Sequence, residues 1–90
     1  MKTLSKNQEV ITRKEDGEWV LFNPQTSAVH IISSVGFAVF ENCNGERSRD
    51  DIINFTLNDL NIQITSENRE LLNDFIEDLM KRNLIWEDVN

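Results

Sequence analysis

Residues 28–45, AVHIISSVGFAVFENCNG, decide how the chain is read. The segment begins as an apolar strand over 28–32, changes character at Ser33-Ser34, and then keeps helical spacing as far as Asn44-Gly45. Val35, Val39 and Cys43 recur at i, i+4 and i+8 with Phe40 beside them, the spacing of one helix face. Ser33 or Ser34 can cap that helix by accepting from a first-turn N–H. Asn44-Gly45 can end it, because glycine enters the left-handed region without penalty. A strand joined to a helix by almost no linker fixes the angle between them. The groove beside that strand is where function is expected.

Working upstream, residues 18–22, EWVLF, are aromatic and branched enough for a second strand. Asn23-Pro24-Gln25-Thr26 turns it into a third strand over 27–32, with Pro24 preset for the second turn position. Asp16-Gly17 is a strong two-residue hairpin signal, since a type I′ turn needs positive φ at both positions. It leads back to a first strand over 9–14, whose apolar content is Val10 and Ile11. Three short antiparallel strands in succession make a meander. Residues 1–8 are polar and are expected to be a flexible N-terminus, leaving one domain over 9–87.

Downstream, Ser48 with Asp51 resembles a capping box, with Asp in place of Glu. Ile52, Ile53, Phe55, Thr56, Leu57 and Leu60 follow, predicting a second helix over 49–60. Ser66 is expected to cap a third helix over 67–83, with acids in its first turn and Lys81-Arg82 in its last, both suited to the helix dipole. Leu72, Phe75, Ile76 and Leu79 form its apolar stripe, with Leu71 and Met80 on the two edges. Residues 84–86 either add a terminal strand or simply pack. Strands followed by helices indicate an α+β class, a three-stranded antiparallel sheet followed by three helices. A small sheet beside three helices is also the winged-helix inventory.

Ninety residues make one small domain, burying roughly 60–65% of what the unfolded chain exposes. A net charge of −7 repels phosphate backbones and anionic lipid. Nucleic acid and membrane are therefore not the expected partners; peptides, proteins or basic surfaces are. Cys43 is the single cysteine and His30 the single histidine, so no intramolecular disulfide and no metal cluster is expected. The first ten residues lack the apolar core of a signal peptide and no run approaches a membrane span, so a cytoplasmic location is expected.

A catalytic set is not evident. Ser, Thr, Asp and Glu sit at caps or on charged helix faces. His30 is read as a half-buried structural residue, and Cys43, inside an apolar stripe, as a small buried hydrophobe. Glu67, Glu70, Asp74, Glu77 and Asp78 make a solvated face of the third helix, some of which can attract a basic partner. Trp19 and Trp86 are read as packing residues. The glycines, Gly17, Gly36 and Gly45, form no phosphate loop. The expectation is a protein that is not an enzyme and holds no cofactor or metal. What remains is an edge: the last strand of a meander offers free N–H and C=O groups to a peptide that adds as a fourth strand. Residues 84–86 or a second copy of the chain are the alternative covers for that edge.

The run SSVGFAVFENCNGERSRDDII, residues 33–53, resembles the PqqD-like family. It shows a small-residue helix start, the apolar-aromatic pair Val39-Phe40, the helix end Cys43-Asn44-Gly45, the cap Ser48 and an Ile-rich second helix with Ile52-Ile53. The closing FIEDLMKRNLI is similar to the family's apolar helix followed by Gly-Leu-Ile, with Asn83 where glycine is usual. The usual Leu-Asn before the first helix stands here as Ile32-Ser33. The likeness covers roughly residues 9–87.

The resemblance implies a winged-helix-like fold and a RiPP recognition element: a non-catalytic domain that binds the leader of a ribosomally made precursor peptide. It implies that the leader adds antiparallel to the third strand, in the cleft beside the third helix. A partner enzyme, often a radical SAM protein, modifies the rest of the precursor. The elements so implied carry Val29, His30, Ile31 and Ile32 on the strand. On the helix they carry Leu71, Phe75, Asp78 and Arg82, along one edge of its stripe. Two other classes compete. One is a structural or regulatory homodimer built on the third strand. The other is a winged-helix nucleic-acid binder, disfavoured because its recognition helix should be basic, whereas acids on this helix outnumber Arg69, Lys81 and Arg82.

Overall fold

The computed structural model describes residues 2–89. In chain order the elements are β1 (Lys2–Lys6), β2 (Ile11–Glu15), β3 (Glu18–Asn23), β4 (Ala28–Ile32), α1 (Ser34–Glu41), α2 (Arg49–Asp59), α3 (Ser66–Lys81) and β5 (Ile85–Val89). β2, β3 and β4 form the expected antiparallel meander, and β1 with β5 forms a separate two-stranded sheet. The class is α+β, as the sequence indicates.

The turns follow from their residues. Asp16 and Gly17 sit at φ 49° and 81°, the two left-handed positions of the hairpin. At the second turn the Thr26 N–H donates to the Asn23 carbonyl at 3.3 Å, and the Gln25 N–H donates to Asn23 Oδ1 at 3.0 Å. Strand register pairs Trp19 with Ile32, Leu21 with His30, and Asn23 with Ala28. Because side chains alternate, Trp19, Leu21, His30 and Ile32 face the helices. Val20, Phe22, Val29 and Ile31 share the outer face with Ile11. Trp19 stacks on Phe37 of α1 with ring centres 3.6 Å apart, tying sheet to helix.

All three helices are capped by hydroxyls: Ser33 Oγ accepts from the Gly36 N–H, Ser48 Oγ from the Asp51 N–H, and Thr65 Oγ1 from the Asn68 N–H. Thr65, not Ser66, therefore caps α3, and Ser66 is its first helical residue. α1 ends at Glu41 with Asn42 as its C-cap, short of Asn44-Gly45. Gly45 serves a different purpose. It lies at φ 84°, its N–H donates to the Leu4 carbonyl at 2.8 Å, and a Cβ there would stand 3.0 Å from Ser5 Oγ. Glycine is thus required where the loop crosses β1.

Residues 1–8, expected to be a flexible terminus, instead contain β1; Met1 lies outside the described residues. β1 pairs antiparallel with β5, placing Leu4 opposite Glu87 and Lys6 opposite Ile85. Its other side is held by the loop after α1, where Leu4 N–H donates to the Arg47 carbonyl and Lys6 N–H to the Cys43 carbonyl. Leu4 is 1% exposed and belongs to the core. Asn7 locks the exit: its Nδ2 donates to the Asn83 carbonyl, and its Oδ1 accepts from the Glu9 N–H. β1 and β5 place residues 2–6 and 85–89 in the fold. β5 also answers what residues 84–86 do: they turn into a strand that pairs with β1, so they leave the free edge of β4 uncovered.

The core gathers Leu4, Leu21, Val39, Ile52, Leu57, Leu72, Ile76, Leu79 and Leu84. Cys43 is fully buried among them; its Sγ donates to the Val39 carbonyl at 3.2 Å, and burial pushes the thiol pKa up to about 12. It behaves as the small hydrophobe its position predicts.

Candidate functional site

β4 is hydrogen-bonded to β3 on one side only; no described strand lies on the other. Its backbone groups on that side have the geometry that another strand would complete. Beside this edge runs α3. A cavity of about 190 Å³ is lined by Ile31 and Ile32 of β4, by Ser33 and Gly36 at the start of α1, and by Phe75, Asp78, Leu79 and Arg82 of α3. A second cavity of about 220 Å³ is lined by Leu71, Asp74, Phe75 and Asp78. Phe75 and Asp78 belong to both, so the two form one groove running along α3 from Leu71 to Arg82.

The immediate succession of β4 and α1, through the single capping residue Ser33, brings the start of the helix to the groove wall. Gly36 lies there: a Cβ at that position would stand 3.4 Å from the Phe75 ring and 3.4 Å from Ser33 Oγ. Glycine therefore leaves room where α1 meets α3. Phe75 is half-buried against the core, while Leu71 is 50% exposed at the open end. At the other end Asp78 and Arg82 form an i,i+4 ion pair at 3.1 Å. His30 lies behind them, half-buried, with its Nε2 shielded and without a hydrogen-bond partner among the described residues. Burial, then the Arg82 charge, hold its pKa below the ordinary value, against an opposite pull from Asp78.

Of the residues singled out in the sequence, the structure brings Ile31, Ile32, Leu71, Phe75, Asp78 and Arg82 together around this groove. Val29 and His30 do not line it. Val29 is 61% exposed and lines a separate cavity on the outer sheet face with Ile11, Arg13, Glu15, Val20 and Phe22. His30 points into the gap between sheet and helices. Sequence reading missed Ser33, Gly36, Asp74 and Leu79 as lining residues. Asp74 had a findable signal, since it lies three residues after Leu71 and four before Asp78, the spacings of one helix edge. Gly36 had only its place in the first turn of α1.

Elsewhere, an open concavity along α2 is lined by Arg47, Asp51, Asn54, Phe55, Asn58 and Ile64, with the Arg47 guanidinium 4.0 Å from the Phe55 ring centre. None of its lining residues lies on β4. Among the described residues, no group of three or more His, Cys, Asp and Glu is placed to hold a metal ion. No described helix is long and apolar enough to cross a membrane.

Comparison with curated proteins found no match. Among solved structures, the fold is similar to a chain described as TbiB1 in complex with the TbiA(beta) leader peptide. The TM-score is 0.67 at 18% identity, covering 90% of this chain and 93% of that one. At this identity the likeness is one of fold. The family described as Coenzyme PQQ synthesis protein D matches residues 18–85, from the start of β3 into β5. That match spans most of the sequence and takes in the edge strand and all three helices, and the chain belongs to the PqqD family.

Proposed function

We propose that this protein is a non-catalytic recognition domain that binds the leader segment of a ribosomally synthesised precursor peptide and presents the precursor to a modifying enzyme. The observation that carries this reading is the open edge of β4 lying beside the groove of α3. An extended peptide adding to β4 gains backbone hydrogen bonds along the edge, and its alternate side chains enter the groove. Membership of the PqqD family supports the assignment, as does a fold shared with a chain solved with a leader peptide bound. The precursor's chemistry then falls to a partner, of which a radical SAM enzyme is the class we favour. A cytoplasmic location fits a precursor met soon after synthesis.

The test is calorimetric titration of the leader peptide into the purified protein. Saturable binding that weakens about four- to twelvefold in Phe75→Ala supports the reading, since full burial of such a side chain contributes roughly 1.5–3 kcal/mol and Phe75 is already half-buried before the leader binds. Equal binding by a folded Phe75→Ala variant, or none by the wild type, refutes it. A second reading, self-association, has its own observation: Ile11, Val29 and Ile31 are exposed together on the outer sheet face. A stable dimer by light scattering, dispersed by Ile11→Asp, would favour it.

A further inference from the structure

The groove carries an acidic charge pattern along α3. On α3, Leu71 and Phe75 are interleaved with Asp74 and Asp78, and these four residues line the open, shallow cavity of about 220 Å³. Half of Leu71 is exposed there. Of the cations near α3, Arg49 pairs with Glu77 and Glu87, Arg69 pairs with Asp50, and Lys81, in the last turn, acts on Glu77. Arg82 is the one cation lining the groove among the described residues, and it is held by Asp78. Asp74 is exposed and makes no ion pair within the described residues.

Resting on the reading of this groove as the leader site, we propose that it takes leaders in which a large apolar residue is followed or preceded, two positions away, by Lys or Arg. In an added strand, residues two apart point to the same side about 6.8 Å apart. Residues 71 and 78 are separated by about 10.5 Å along the helix axis, so two successive groove-facing side chains both fall within the length of the cavity. The apolar one covers Leu71 and Phe75. The basic one lays its methylene stem along the same surface and carries its charge to Asp74, as long cationic side chains do at apolar borders. Asp78, shared with Arg82, adds to the same field. An acidic residue at that place meets an unpaired carboxylate on a domain of net charge −7, a repulsion that salt screens.

A displayed library of random twelve-residue peptides, selected on wild-type protein, tests this. Enriched peptides are expected to carry Lys or Arg two positions from a large apolar residue. They should bind an Asp74→Lys variant about three- to tenfold more weakly, with the gap narrowing in high salt. Changing the peptide's basic residue to Glu should then restore binding to Asp74→Lys. Enriched peptides without a basic bias, or with unchanged affinity for Asp74→Lys, overturn the proposal. N-methylation of successive peptide amides separates the two levels. If binding survives methylation at every position, the peptide does not add as a strand and the leader-groove reading itself fails. If methylation abolishes binding at alternate positions and no basic bias exists, only the charge preference fails. An empty selection overturns both.

Discussion

Leu71→Ala separates binding from stability. In the free protein Leu71 is 50% exposed at the open end of the groove, so folding has already buried about half of it and a bound leader buries the rest. Full burial of a leucine contributes roughly 1.5–3 kcal/mol, which leaves about 0.8–1.5 kcal/mol to be gained on leader binding. Dividing by RT gives an affinity loss of about four- to twelvefold. The half already buried on folding contributes a similar amount, offset by a few tenths because Ala is the better helix former, so truncation should lower stability by about 0.5–1.3 kcal/mol and leave the protein folded. The assay is calorimetric titration of leader peptide into wild type and variant, with a urea titration of each. Leader affinity within twofold of wild type, in a variant that the urea titration shows to be folded, would show that the leader does not cover this end of the groove.

Leu4→Ala tests the N-terminal strand: with Leu4 1% exposed, truncation should cost about 2–5 kcal/mol. Of the roughly 5–13 kcal/mol expected for a chain of this length, that is a large share, visible as a lower urea midpoint; an unmoved midpoint would mean that residues 2–6 lie outside the cooperative fold. Cys43 gives a pH signature. Its thiol pKa is raised from 9.0 to about 12 by burial, so the folded state holds the proton more tightly; this contribution is fully present below pH 9 and is lost as pH rises through about 12. Labelling by a thiol reagent at pH 8 should accordingly track global unfolding in urea, and rapid labelling of the native protein would contradict the burial.

The meander and the helices were legible because their signals are local. Asp16-Gly17 and Pro24 fix turns within four residues, and Ser33 and Ser48 meet their N–H partners three residues on. β1 was not legible, because KTLSK contains one apolar residue and its partner strand begins near the other end of the chain. Nothing within a short window distinguishes such a strand from a polar tail. The same long-range pairing explains Gly45, whose positive φ was readable as a helix stop but serves the contact with Leu4 and Ser5. At the site, helical periodicity placed Leu71, Phe75, Asp78 and Arg82 on one edge correctly. It could not reveal that Val29 and His30 lie off the groove, because strand alternation assigns faces only once the sheet's buried side is known.

Amide hydrogen exchange, followed residue by residue with and without leader peptide, reports strand addition at β4. Strand addition predicts that alternate amides within Ala28–Ile32, those facing away from β3, pass from fast exchange to protection when leader binds. Amides of β1, β2 and β5 should keep their free-state rates. Saturating leader that leaves every β4 amide unprotected, or that protects the open edge of β2 instead, would contradict the account.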